Sequence, residues 1–331
     1  GMSDGRVGGF ISFPGAIKTG KGALAQSAWQ NALQQLLMDE SLTKVCFDSK
    51  SLRHALANRG LSLKGNVFDV SLAAYLLNPG QSIRGLDDVF LQVLDDYQPG
   101  IEDLTGKGAK AIPLAELDPG KLVELSKARL AKVTDLKATL EEQLEKQGLS
   151  KLYHEVELPL ADVLTAMERR GVAVDVDELR SISLEFEERI GNLDAVICCL
   201  AGVEFNINSP KQLGEVLFDR LGLPVLKETK TGPSTSAEAL EQLAEEHEIA
   251  QLVMDYRQLV KLKSTYLDSL ELLVHPDTGR IHTSYHQTAT STGRLSSVNP
   301  NLQNIPVRTE EGKRIRRAFV AGRPDYVLLA A

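Results

Sequence analysis

Fifteen residues, TGRLSSVNPNLQNIP from Thr292 to Pro306, concentrate one arginine, three asparagines, a glutamine, two serines and a threonine. Arg294 is a pure donor. Asn301, Gln303 and Asn304 each donate and accept, and Arg308, two residues further on, can grip a phosphate through two parallel bonds. Connecting loops are usually shorter and less crowded with such groups. Pro300 and Pro306 restrict the backbone, with Leu295, Leu302 and Ile305 as the large apolar anchors, so little freedom would be lost when a partner binds. Taken alone, the stretch is either a binding loop or a loop whose amides bond its own backbone. A second set lies in YRQLVKLKSTY. There Arg257, Lys261 and Ser264 recur at three- and four-residue spacing, a helical face able to track one phosphate strand or to sit in water. Thr265 follows directly, and Lys263 falls off that face. Asn208, Ser209 and Lys211 open a helix, where unpaired backbone N–H groups favour a phosphate, although Ser209 serves equally as a plain N-cap.

Carboxylates do not gather in the same way. Asp48, Asp69 and Asp135 are scattered and read as caps or structural groups, and the acidic VDVDEL precedes a helix with Asp177 as its expected N-cap. TGKGAK lacks the G-x-x-x-x-G-K-[ST] spacing of a phosphate-binding loop and the strand before it. Tyr285 and His286 lie on an alternating stretch, where His286 is as well explained by packing as by contact. Three cysteines, Cys198 and Cys199 being adjacent, suit a reducing compartment and no disulfide framework.

These groups must be positioned by two kinds of architecture. RVGGFISF (6–13) and VCFD (45–48) read as strands flanking a helix around SAWQNALQQLLMDE, and SKSLRHALANRG is helical with Gly60 as its stop. NVFDVSLAAYLLNP runs from a strand into a helix that Pro79 ends. The alternation indicates an α/β domain to about residue 148. Beyond Leu152 the pattern is mostly helical. Leu179, Ile182, Phe186, Ile190, Leu193, Ile197 and Leu200 predict one long amphipathic helix. Ser209 and Pro210 open another that closes at Gly222. Thr235 and Glu238 fit a capping box, and a long helix spans Glu248 to Leu273. RIHTSYHQTAT and YVLLAA read as strands.

The chain has 331 residues, with 43% hydrophobic and 25% charged side chains, which fits two or three globular domains. No apolar run reaches the length of a membrane span, and the first residues carry no secretion signal. The formal net charge of −8 is uneven. From Asp255 onward there are 11 Lys and Arg against 7 Asp and Glu, whereas the remainder holds 26 against 38. The basic C-terminal quarter is where an anionic partner would land.

TATSTGRLSSVNPNLQNIPVRTEEGKRIRRAFVA closely resembles the segment leading into the palm of bacterial family A DNA polymerases, the DNA polymerase I family. FNINSPKQLGEVLFDRLGLPV, GPSTSAEALEQLA and YRQLVKLKSTYLDSL resemble that family's thumb in order and spacing. VCFDSKSLRHAL, FDVSLAAYLLNP and TGKGAKAIP look like its exonuclease-type domain. The resemblance implies α/β plus mostly α architecture. Residues 1–148 would form a ribonuclease-H-like 3′-5′ exonuclease-type domain, 149–279 a helical thumb and 280–331 the start of a palm.

It also implies a fragment of a DNA-directed DNA polymerase acting in replication and repair. Primer–template duplex is the expected partner. The contacts would be Asn208, Ser209, Lys211, Arg257, Lys261, Ser264, Thr265, Arg294, Asn301, Gln303, Asn304 and Arg308. A donor such as Arg294 aimed at minor-groove acceptors tolerates any sequence. No protein partner and no membrane are implied, and the location is cytoplasmic, in a bacterium and with the nucleoid. Two Mg²⁺ ions and a dNTP belong to the intact enzyme. The family's first metal-binding carboxylate sits in a motif like DYSQIELR, which would follow Ala331 directly, so no catalytic or metal-binding residue and no cofactor is expected in this chain. Aligned to exonuclease motifs, Leu52, Ser126 and Leu130 stand where two Asp and a Tyr are required, with Leu52 and Leu130 at the Asp positions. Leu cannot ligate a divalent cation, so the exonuclease-like domain is expected to be inactive. A non-catalytic nucleic-acid-binding scaffold and a residual 3′-5′ exonuclease are the alternatives.

Overall fold

A computed structural model describes residues 26–113, 116–229 and 232–329. The segment RVGGFISF, expected as a strand, lies outside them. By their contacts the described residues form two units: those up to 169 with 284–298, and those of 170–283 with those from 299 on. The boundaries at 148/149 and 279/280 follow the change of pattern along the chain, whereas this grouping follows packing.

In the first unit, strands β1 (Lys44–Cys46) and β2 (Val67–Asp69) pair in parallel, Val45 opposite Phe68. Parallel neighbours need a crossover, supplied by helix α2 (Ser49–Ala57), which follows α1 (Gln26–Met38). Asp48 and Asp69 cap α2 and α3 (Val70–Leu77) through Ser51, Ser71 and Leu72 N–H groups. Both aspartates therefore take the capping role expected of them, while Asp135 is exposed along a helix. Gly60, at φ +70°, turns the chain just after α2, whose own cap is Asn58. There follow α4 (Leu86–Leu94), α5 (Glu102–Thr105), α6 (Pro119–Lys146), α7 (Ser150–Leu152), a π-helical turn over Tyr153–Glu157 and α8 (Leu158–Arg170). The core joins Phe68, Val70 and Leu72 to Phe90, to Leu136, Leu140 and Leu144 of α6, and to Tyr153.

The second unit carries strands β3 (Val172–Val174), β6 (Val274–His275), β7 (Arg280–Ile281) and β10 (Phe319–Val320), antiparallel in the order β10-β3-β7-β6. Helix α9 (Val176–Ala201) buries Leu179, Ile182, Phe186 and Ile197; of the rest of the predicted stripe, Ile190 and Leu193 are half-buried and Leu200 is exposed, because it lies in the last turn of the helix. Its N-cap is Asp175, whose carboxylate accepts the Glu178 N–H at 3.0 Å. Asp177, which the sequence suggests as the cap, is instead the second residue of the helix and faces solvent. Helix α10 (Pro210–Gly214) starts at Ser209 and continues as a π-helical stretch over Glu215–Arg220 to Gly222 at φ +67°. Strands β4 (Glu228–Thr229) and β5 (Gly232–Pro233) precede α11 (Ala237–Ala244). The α11 cap is Ser236, not Thr235; Thr235 is buried, and its carbonyl and hydroxyl accept from Arg257. The long helix appears as α12 (Glu248–Leu262), a π-helical turn over Lys263–Leu267 and α13 (Asp268–Leu272). Helix α14 (Glu310–Arg317) packs close to Pro306: a Cβ on Gly312 would come within 2.5 Å of the Pro306 carbonyl oxygen, so that approach requires glycine.

Two strand expectations change. RIHTSYHQTAT is broken: β7 ends at Ile281, and β8 (Ser284–His286) instead pairs with β9 (Ser296–Val298) in the first unit, Tyr285 opposite Ser297. YVLLAA forms no strand at residues 326–329. Val327 and Leu329 are 86% and 91% exposed. No strand lies beside them among the described residues, and an extended segment without a neighbour has no ladder to join.

Candidate nucleic-acid interface

In the second unit, α12 and the π-helical turn bury Tyr256, Leu259, Leu262 and Tyr266, which leaves Lys261, Ser264 and Thr265 outward and exposed. The predicted stripe therefore exists, but its members differ in kind. Lys261 is a mobile point charge on a flexible stem. Arg257 is half-buried, and its guanidinium donates to the Thr235 carbonyl at 2.5 Å and the Thr235 hydroxyl at 3.5 Å. Burial pulls its pKa down, yet a guanidinium stays charged in a protein. Its remaining N–H groups are thus held in one direction, as a pre-organised oxyanion grip requires. Nothing in the sequence spacing signals the Thr235 partner, 22 residues away. Lys263 is tied to Asp268 at 3.1 Å, in keeping with its place off the stripe. The Ser264 hydroxyl donates to the Val260 carbonyl at 2.8 Å, leaving it an acceptor.

The loop from Asn299 to Arg308 is pinned from several sides within this unit. Leu302 and Ile305 enter the core beside Tyr266 and Ile315. The Thr283 hydroxyl donates to the Pro300 carbonyl at 2.7 Å, and the Tyr266 hydroxyl donates to the Asn304 carbonyl. Asn301 caps a 3₁₀ turn over Leu302–Asn304 by accepting the Gln303 N–H at 3.0 Å. Its amide thus also serves its own backbone. The side chains of Asn301, Gln303, Asn304 and Arg308 remain exposed. A rigid backbone presenting amides and one guanidinium to solvent can bind base edges, sugars and phosphates with little ordering cost.

Around Asn208 the turn largely satisfies itself. The Asn208 amide donates to the Tyr256 hydroxyl at 3.0 Å, Asn206 accepts the Asn208 N–H, and Ser209 accepts the Gln212 N–H at 3.4 Å. Lys211 projects outward, 3.9 Å from Glu215 and with 87% of its side chain exposed. It is the group there that a phosphate would meet.

In the first unit, Arg294 stands in the turn between β8 and β9, exposed, following Gly293 at φ +74°. His286 is also exposed and Tyr285 half-buried. Of the three positions aligned to exonuclease ligands, Leu52 packs against a leucine cluster of Leu56, Leu61 and Leu63 with Leu33 and Leu37 of α1. The Ser126 hydroxyl is spent on the Leu122 carbonyl at 2.7 Å, and Leu130 is half-buried. Asp69 is buried, which pushes its pKa up against the pull of donors from Ser49, Ser71 and Leu72. Burial also drives the Cys46 thiol far up, so it is no nucleophile. Among the described residues no three His, Cys, Asp or Glu side chains gather as metal ligands. No described helix is long and apolar enough to cross a membrane.

Residues 176–331 match the family model for DNA polymerase family A, and residues 21–117 match that for the DNA polymerase I ribonuclease H-like domain. The chain is 48% identical over 296 residues to DNA polymerase I of Geobacillus stearothermophilus, covering 89% of this chain and 33% of the relative. It is 48% identical over 275 residues to the thermostable DNA polymerase I of Thermus aquaticus, covering 82% and 31%. A solved structure, the POL domain of Pol1 from M. smegmatis in complex with DNA primer-template and dNTP, superposes with a TM-score of 0.74 at 38% identity, covering 90% of this chain and 48% of that one. The chain belongs to the bacterial DNA polymerase I family, and it spans about a third of the length of the curated relatives it matches.

Proposed function

We propose that this chain grips primer–template duplex DNA for a DNA-directed DNA polymerase of replication and repair, without itself joining nucleotides. The observation that carries the reading is the loop from Asn299 to Arg308. Its backbone is held by Tyr266, Thr283, Leu302 and Ile305, while Asn301, Gln303, Asn304 and Arg308 face solvent. Lys261, Arg257, Ser264, Thr265 and Lys211 supply phosphate contacts in the same unit, and Asn208 and Ser209 shape the turn that carries Lys211. Arg294 supplies a groove-directed donor from the other. The proposed division is an exonuclease-like domain over 1–148, a thumb over 149–279 and the first part of a palm from 280. The intact enzyme would act with two Mg²⁺ ions and a dNTP, in the bacterial cytoplasm near the nucleoid. Among the described residues no three His, Cys, Asp or Glu side chains gather as ligands for that metal pair. The exonuclease-like domain would be inactive for the reason given by Leu52 and Leu130.

Fluorescence anisotropy of a labelled primer–template duplex across a salt series tests this. Removing a phosphate contact with Lys261→Ala or Arg257→Ala should flatten the slope of log affinity against log salt by roughly one unit. Arg294→Ala should weaken binding with less change of slope, as a groove contact does. Absence of duplex binding by the wild type at low salt would refute the proposal.

A further inference from the structure

Arg294 comes late in the chain, yet the hairpin that presents it is bonded to earlier helical segments of the first unit. At the start of β8, the Tyr285 N–H donates to Glu168 Oε1 at 2.6 Å. The same carboxylate receives Lys50 Nζ at 2.7 Å, and its other oxygen lies 2.5 Å from His54 Nε2. Just past β8, the Gln287 amide donates to the Glu157 carbonyl at 2.8 Å. Nearer the turn, the Tyr75 hydroxyl of α3 donates to the Thr290 carbonyl at 2.7 Å. The Thr290 hydroxyl in turn donates to the carbonyl of Arg294 itself, also at 2.7 Å. Tyr75, Glu168 and Gln287 are only 4%, 7% and 7% exposed. If the hairpin lifted, each would lose a partner in a place where water does not readily replace it, and such losses are expensive.

We propose that the first unit works as the base that positions Arg294, with Tyr75 of α3 and Glu168 of α8 as positioning residues acting through the β8–β9 hairpin. Leu52 and Leu130 give this unit apolar side chains, whereas the Tyr75 hydroxyl and the Glu168 carboxylate, both buried, are aimed at this hairpin. The inference rests on the reading that Arg294 meets duplex DNA.

The test uses the full chain carrying Tyr75→Phe or Glu168→Gln, each alone and combined with Arg294→Ala. Duplex affinity and hydrogen exchange over residues 284–298 are measured together. Tyr75→Phe keeps the ring packing and removes one donor, so the fold should persist even if Glu168→Gln fails to fold. It should speed exchange in the hairpin and weaken duplex binding about three- to tenfold, the usual range for one buried hydrogen bond. In the Arg294→Ala background the same change should alter affinity less than about twofold, since two residues acting through one contact are not additive. Equal losses in both backgrounds would mean that Tyr75 merely supports the fold, and would overturn the proposal. Unchanged hairpin exchange in Tyr75→Phe would overturn the anchor itself. If instead Arg294→Ala leaves affinity intact while exchange rises in Tyr75→Phe, the anchor stands, and the DNA reading of Arg294 falls together with the positioning role built on it.

Discussion

Arg257 and Lys261 lie one helical turn apart and look alike on a helical wheel, but the structure asks different things of them. Arg257 closes α12 onto the segment before α11 by bonding Thr235, so it contributes to the fold as well as to the surface charge. Lys261 is exposed and contributes charge alone. Arg257→Ala should therefore cost about 1.5–3 kcal/mol of stability, the range for a hydrogen bond to a charged group. Lys261→Ala should stay within about 0.5 kcal/mol, as exposed substitutions do. Denaturant midpoints for the two variants separate these outcomes, and equal midpoints would show that the Thr235 bond is not formed in solution.

At the scale of elements, short polar contacts decide where helices begin and how close they come. Asp175 and Asp177 both sit at the mouth of α9, and only Asp175 takes the Glu178 N–H. Its carboxylate is also near the positive end of the helix dipole. Asp175→Ala should lower stability by about 1 kcal/mol, while Asp177→Ala should be close to neutral, a difference that thermal unfolding can read. Helix α14 is joined to α9 by the paired bonds of Arg314 to Glu185 at 2.7 and 2.8 Å. Gly312 lets it approach the end of the donor-rich loop. The loop is thus held by α14, which follows it closely, and by the Tyr266 and Thr283 hydroxyls that bond its backbone.

For the whole molecule, the proposed division of labour is a grip without a catalytic centre. Residues from Asp255 on carry an excess of positive charge, while the rest of the chain is acidic. Duplex binding should accordingly weaken steeply with salt and tolerate any sequence. Labelled single-stranded DNA incubated with Mg²⁺ or Mn²⁺ should remain at full length. Metal-dependent shortening that disappears when Asp48 or Asp69 is replaced by Asn would contradict the reading of the exonuclease-like unit as inactive, since both aspartates are occupied as caps.

The family, the two kinds of architecture and the donor-rich loop were legible in the sequence, because they rest on local signals: periodicity for α9 and α12, proline and glycine for the ends of α10, and a long specific motif for residues 292–306. Contacts between residues distant in sequence were not. Thr235 reads as a helix cap until Arg257 is seen bonding it. RIHTSYHQTAT reads as one strand until Ile281 and Ser284 are found in different sheets. YVLLAA has strand composition, yet a strand exists only when a neighbour accepts its backbone bonds. The attachment of the Arg294 hairpin to Tyr75 and Glu168, 215 and 117 residues away along the chain, is the clearest case. Neither residue type nor spacing marks it, since a buried hydrogen bond is specified by where the folded chain brings donor and acceptor together.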